Sequence, residues 1–314
     1  MDGRRKNVME RKVWIILCCI VVSITGCVTH NAPWERLSSL DALEEHHSIL
    51  EAAPVTDLDD YFDGKAVAYR IRYTSDDCEV IAIVSAPIDY LQKKYPILLY
   101  NRGGNREFGK LVPEQVAYYS LQGYIVLASQ YRGVDGGTGI EQFGGDDIHD
   151  VLKLIDISED FEFAQAGGVY MAGHSRGGMM TYMACRKDDR IKAAAVFAGV
   201  ADTVASFNAR DGDMKRVLQE LTGGTPEEKS AEFGNRSALT WANEIDTPLL
   251  IVHGGAADWR VNSQQSKDMA NVLEANGKEY RLILYEYADH SLSGTDYIGD
   301  MVRWFNEHPL ETTP

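Results

Sequence analysis

Cysteine is scarce in this chain. There are five in 314 residues, and three of them (Cys18, Cys19 and Cys27) crowd the N-terminal end. Cys78 and Cys185 are left for the body, far apart on what read as a strand and a helix, so no small disulfide framework is implied and two unpaired thiols are expected. Long apolar runs are missing as well: the stretch VWIILCCIVVSI at 13–24 has only about half the roughly 20 residues that a membrane-spanning helix needs. Basic residues are outnumbered, 31 Lys and Arg against 47 Asp and Glu, for a net charge of −16. Such a surface repels phosphate backbones and excludes nucleic acid as a natural partner. Neither HExxH nor a paired CxxC occurs, His46 and His47 lack metal-ligand partners in the sequence, and no motif calls for a metal or cofactor. Internal repeats and low-complexity tracts are absent too.

What the N-terminal end does contain is five basic residues within the first 12, the apolar run, and then Ile24-Thr25-Gly26-Cys27. Basic, apolar and small residues in that order form a secretory signal. The last four resemble the bacterial lipobox, which implies cleavage before Cys27, lipidation of its sulfur, and a protein tethered to a membrane surface outside the cytoplasm. Val28 lacks the aspartate associated with inner-membrane retention, so an outer membrane or periplasmic face is the favoured location. Loss of residues 1–26 removes five basic and two acidic residues, leaving 288 residues at a net charge of −19. That length suits one large domain.

Residues 27–64 read as a tether and a short amphipathic helix, LSSLDALEEHHSILEAA. From 65 to 314, β-rich runs alternate with helical ones, the rhythm of an α/β domain whose mainly parallel sheet is covered by helices. Eight strands are expected: AVAYRIRY, CEVIAIVSAP, YPILLYN, YIVLASQ, GGVYMAG, IKAAAVFAG, TPLLIVHGG and YRLILYEY. The first two follow each other without a helix and should pair as an antiparallel hairpin. Residues 201–245, polar and broken by DGD and TGGTP, read as a small helical insertion.

Against this rhythm, GHSRGG at 173–178 takes on meaning. A strand that ends in Gly-x-Ser-x-Gly and turns at once into a helix bends sharply, pushing Ser175 out at the top of the sheet beside a helix N-terminus. The seventh strand delivers Asp258 just past its end and the eighth delivers His290, in the order Ser, Asp, His of the α/β-hydrolase fold. His290 would act as base and Asp258 would orient it, with Asp289, beside His290, the alternative acid. His174 should pack under the turn and His253 inside its strand. Asp146, Asp147 and Asp150 open a helix and should cap it. For an oxyanion, the backbone N–H of Arg176 is one donor, and the loop YNRGGNREFG offers Gly103 and Gly104 for the other.

Together, GHSRGG, HGGAADWRVNSQQS with its Asp-x-Arg-Val segment, ADHS, YRG at 131–133 and GGDDIHDV give residues 66–307 a likeness. They resemble the catalytic domain of the prolyl oligopeptidase family (S9 serine peptidases) and related α/β-hydrolase esterases. The resemblance implies Ser175, Asp258 and His290 as a triad, with the Arg176 N–H as oxyanion donor. Two departures stand out. Many of the family's peptidases place a tyrosine, whose hydroxyl helps bind the oxyanion, where Arg102 stands here. They also carry a large N-terminal β-propeller, for which the 37 residues at 28–64 leave no room.

The expectation is therefore a serine hydrolase cleaving short peptides, with a carboxylesterase as the alternative and a non-catalytic binding lipoprotein behind both. Positive charge from Arg102, Arg106 and Arg176 near the pocket would favour substrates bearing a carboxylate.

Overall fold

A computed structural model describes residues 36–311. The signal segment 1–26, Cys27 and the first part of the tether lie outside the described residues. Among those described, no helix is long and apolar enough to cross a membrane.

In chain order the elements are β1 (Ile49–Pro54), β2 (Ala66–Ser75), β3 (Cys78–Pro87), β4 (Tyr95–Asn101), α1 (Pro113–Ser120), β5 (Ile125–Ser129), α2 (Asp147–Ser158), β6 (Ala164–His174) and α3 (Arg176–Lys187). Then come β7 (Ile191–Phe197), α4 (Thr203–Ala209), α5 (Gly212–Thr222), α6 (Ser230–Arg236), β8 (Leu249–Gly254), α7 (Gln264–Ala275), β9 (Tyr280–Tyr285) and α8 (Tyr297–Glu307). The strands form one sheet in the order β1-β2-β3-β5-β4-β6-β7-β8-β9. β2 and β3 make the expected antiparallel hairpin, and every pairing from β5 through β4 to β9 is parallel.

The sheet has nine strands where eight were expected. The added β1 pairs antiparallel with β2 at the edge, in sequence read as amphipathic helix. Only the first part of that stretch coils, as a short 3-10 turn at Leu40–Glu45. Edge position explains the misreading: of β1's six residues only Ile49 is buried, so the strand shows no alternating pattern.

The parallel strands bury side chains on both faces, as βαβ crossovers require. Leu98, Ala172, Ala195, Leu250 and Val252 face a layer holding Val116 and Tyr119 of α1 with Met301, Trp304 and Phe305 of α8. The alternate residues Leu99, Met171, Val196 and Ile251 face α2, α3 and α7. Residues 201–245 carry α4, α5 and α6, whose Phe207, Leu218 and Phe233 join the second core. Arg236 fastens this segment down, donating Nε–H to the Phe143 carbonyl at 3.0 Å and Nη2–H to that of Gln142 at 3.2 Å.

Candidate active site

Because β6, β8 and β9 run parallel, the loops after them open on one edge of the sheet. β6 passes into α3 through Ser175, which is held at φ 59 and ψ −120, a conformation that costs a non-glycine residue of order 1–3 kcal/mol. Surrounding contacts enforce it: Ser175 N–H donates to the Phe197 carbonyl at 2.8 Å, and its own carbonyl accepts from Gly178 N–H at 3.0 Å. Gly177 has no room for a side chain, since a Cβ there would run into the Asn101 carbonyl oxygen at the end of β4. Gly177→Ala is therefore expected to lose about 1–3 kcal/mol and to lower turnover by displacing β4 and the loop behind it. Thermal melts and kcat check this; an unchanged Tm would contradict it.

Ser175 Oγ lies 2.9 Å from His290 Nε2, and His290 Nδ1 lies 2.9 and 3.1 Å from the two carboxylate oxygens of Asp258. All three residues thus meet in one hydrogen-bonded chain. Asp258 is gripped from several sides. Its Oδ1 accepts N–H from Arg260 (2.9 Å) and Val261 (3.0 Å), and its Oδ2 lies 3.0 Å from His253 Nε2. Burial opposes its ionisation, but the hydrogen bonds from His253, His290 and Val261 outweigh that and hold its carboxyl well below the usual range. Asp289 is exposed and accepts from Ser291 N–H and Oγ–H instead.

The neighbouring histidines divide as their positions suggest. His174 Nε2 donates to the His290 carbonyl at 2.7 Å, and its ring meets that of His290 edge-on at 4.8 Å. Burial first, and then the charge of His290, lower its pKa to about 4, so it stays neutral as a prop beneath His290. His253 is fully buried between Asp258 and the Ser266 hydroxyl, 2.6 Å from its Nδ1. That second histidine on Asp258 was read only as a core residue. What distinguishes it is a fold-made distance to a carboxylate five residues on.

Gly103 runs beside Ser175: a Cβ built on it would lie 3.2 Å from the serine Cβ. Gly104 takes φ +75, which suits glycine. Arg176 opens α3, so its backbone N–H belongs to the unpaired first turn of a helix whose dipole favours negative charge at that end.

The arginine side chains correct the sequence reading, because none of the three expected cations is free. Arg176 is buried, ion-paired with Glu141 and Asp147, and lies over the Tyr131 ring at 4.5 Å. Arg102 is also buried and donates to the carbonyls of Gln130, Gly103, Phe108 and Arg106 at 3.0, 3.3, 3.2 and 2.8 Å. It shapes the glycine loop from within. Arg106 pairs with Glu220 of α5 at 2.5 Å.

The acidic run at the start of α2 differs as well. Asp147 and Asp150 bind Arg176 and Arg132, and Asp146 makes no cap bond. His46 and His47, read as lacking metal partners, do meet a carboxylate, with ligand atoms of His46, His47 and Asp160 within 4.8 Å of one another. His46 Nδ1, however, accepts the Ser48 N–H at 3.1 Å, which puts the neutral ring's proton on Nε2 facing Asp160. A metal would need a lone pair there, so the pairing serves as a structural tie. Cys78 and Cys185 are both free thiols.

Two cavities meet at Ser175. The larger, about 700 Å³, is lined by Phe143, Val200, Met214 and Val217 beside Ser175, with the α4–α5 segment as its far wall. The smaller, about 230 Å³, runs past Tyr100, Gly103 and His290.

A strained serine at the sheet edge, hydrogen-bonded to a histidine and through it to a buried carboxylate, defines a serine hydrolase on the α/β-hydrolase fold. Residues 112–309 match the family described as Peptidase_S9, prolyl oligopeptidase family, and the chain belongs to it. It is 30% identical over 223 residues to the uncharacterized peptidase YtmA of Bacillus subtilis, spanning 71% of this chain and 85% of that one. To the acylamino-acid-releasing enzyme of Arabidopsis thaliana it is 25% identical over 214 residues, 62% of this chain and 27% of the plant enzyme. Among solved structures, an acylaminoacyl peptidase of Pyrococcus horikoshii aligns with a TM-score of 0.68 at 22% identity, over 80% of this chain and 43% of that one. Dipeptidyl peptidase 4 of Porphyromonas gingivalis aligns with a TM-score of 0.64 at 23% identity, over 78% and 36%. The likeness to these two structures is one of fold, and the chain spans less than half of each.

Proposed function

We propose that this protein is a serine peptidase that cleaves short peptides through an acyl-enzyme. His290 takes the Ser175 proton as Oγ attacks the scissile carbonyl, and later returns it to the leaving amine, while Asp258 fixes the imidazole tautomer and steadies the imidazolium. The Arg176 N–H, with Gly103 or Gly104, receives the developing oxyanion. The observation that carries this reading is the Ser175–His290–Asp258 chain standing where two cavities meet, room for a substrate extending on both sides of the bond to be cut.

A carboxylesterase is the second reading, and Arg102 favours it. With its guanidinium turned into the loop carbonyls, the site lacks a side-chain donor at that position, and amides need a stronger oxyanion hole than activated esters do. Rates on a panel of peptidyl aryl amides and on a short-chain aryl ester separate the two. The peptidase reading expects amide turnover; turnover of esters alone would replace it with the esterase. We further propose that the 1–26 segment exports the chain and that Cys27 carries its lipid anchor, which globomycin-sensitive processing and labelling with a palmitate analogue would test.

A further inference from the structure

The paired arginines around Ser175 make two others conspicuous. Arg210 closes α4 and Arg260 stands two residues beyond Asp258, and both line the larger cavity. Among the described residues neither has a carboxylate within ion-pair distance. Their guanidinium groups lie 5.9 and 5.2 Å from the ring centre of Trp259, and Arg260 is also 5.7 Å from that of Phe108. Arg260 borders the smaller cavity as well, so it stands where a substrate must pass.

The acids on the same wall are already engaged. Asp211 caps α5, accepting the Met214 N–H at 3.3 Å, Asp213 pairs with Arg216 at 3.0 Å, and Glu220 holds Arg106. Two cations are thus kept half-buried side by side with no carboxylate in ion-pair contact, Asp258 and Asp211 acting on Arg210 only from farther off. Burial first, and then the charge of Arg260, lower the pKa of Arg210, the direction expected when like charges are crowded out of water. A planar anion reaching this wall would meet two donor forks of matching geometry.

We propose that Arg210 and Arg260 form a carboxylate-binding subsite, so that the enzyme selects substrates carrying a carboxylate in the portion that fills the larger cavity. This rests on the hydrolase reading of Ser175. The carboxylate would come from an acidic side chain or from a free peptide C-terminus.

Equilibrium binding to the full chain carrying Ser175→Ala tests it, because that protein holds ligand without turnover. Two pairs of peptides serve as probes: a glutamyl peptide against its glutaminyl twin, and a free C-terminus against its amide. The expected result is about tenfold to hundredfold tighter binding of the anionic member of one pair; the pair that shows it identifies the source of the carboxylate. Adding Arg210→Ala or Arg260→Ala should bring that ratio to within about twofold, Arg210→Lys should keep part of it, and added salt should reduce it. Equal affinities within both pairs, or no binding of any member, would overturn the proposal. Failure of the hydrolase reading would show elsewhere, as absence of turnover by the unmodified protein.

Discussion

Replacing Ser175 with alanine is expected to lower kcat by about four to six orders of magnitude, the scale on which removal of a nucleophile acts in such a unit. The loss should come without unfolding. Alanine removes only Oγ, whose partner His290 Nε2 keeps its place because Nδ1 remains tied to Asp258 at 2.9 Å and the ring remains against His174. The backbone strain at φ 59 is the same for either side chain. A Tm close to that of the parent, together with the collapse in kcat, is the expected pair of results. Residual turnover would reflect the oxyanion donors and binding alone. Turnover equal to the parent's would mean that Ser175 is only a turn residue.

The second large effect is on stability. Arg176→Met removes a guanidinium buried against Glu141, Asp147 and the rings of Tyr131 and Phe143. The cost is the two carboxylates left behind. Breaking one partner out of a buried ionic group costs about 3–5 kcal/mol, which for a domain of this size lowers Tm on the order of 10 °C. The triple variant Arg176→Met, Glu141→Gln and Asp147→Asn should lose less than the single change, since the two carboxylates are neutral and the one charge of the group left without its ion partner, Arg102 at 3.8 Å from Glu141 in the parent, keeps its bonds to four backbone carbonyls. Its melting temperature against that of Arg176→Met decides the matter, and a triple variant less stable than the single one would refute this account of the network.

The site was legible to the extent that it follows from topology. Ser175, Asp258 and His290 each sit just past the end of a strand, and parallel pairing alone brings such positions to one edge, so their order in the chain sufficed to bring them together. The glycines of GHSRGG were legible for a similar local reason: the sharp bend between β6 and α3 leaves no space for Cβ atoms. The nearby charges were not. Glu141 reaches Arg176 across 35 residues, and Asp160 reaches His46 across 114; neither is neighboured in sequence by anything that announces the contact. Arg210 and Trp259 stayed hidden for a different reason, since their position depends on how residues 201–245 fold back over the sheet edge. β1 was missed because a strand buried at one residue in six carries no periodic signature.

The most direct test of the central claim is labelling of the full chain with a fluorophosphonate, followed by mass spectrometry of its peptides. The reagent reacts only with a serine whose proton a neighbouring base can take, so it reads the Ser175–His290–Asp258 chain itself, independent of substrate choice. The account predicts one adduct, on Ser175, absent from Ser175→Ala and sharply reduced in His290→Ala. A folded protein that takes up no label, or takes it up at another serine, would contradict it.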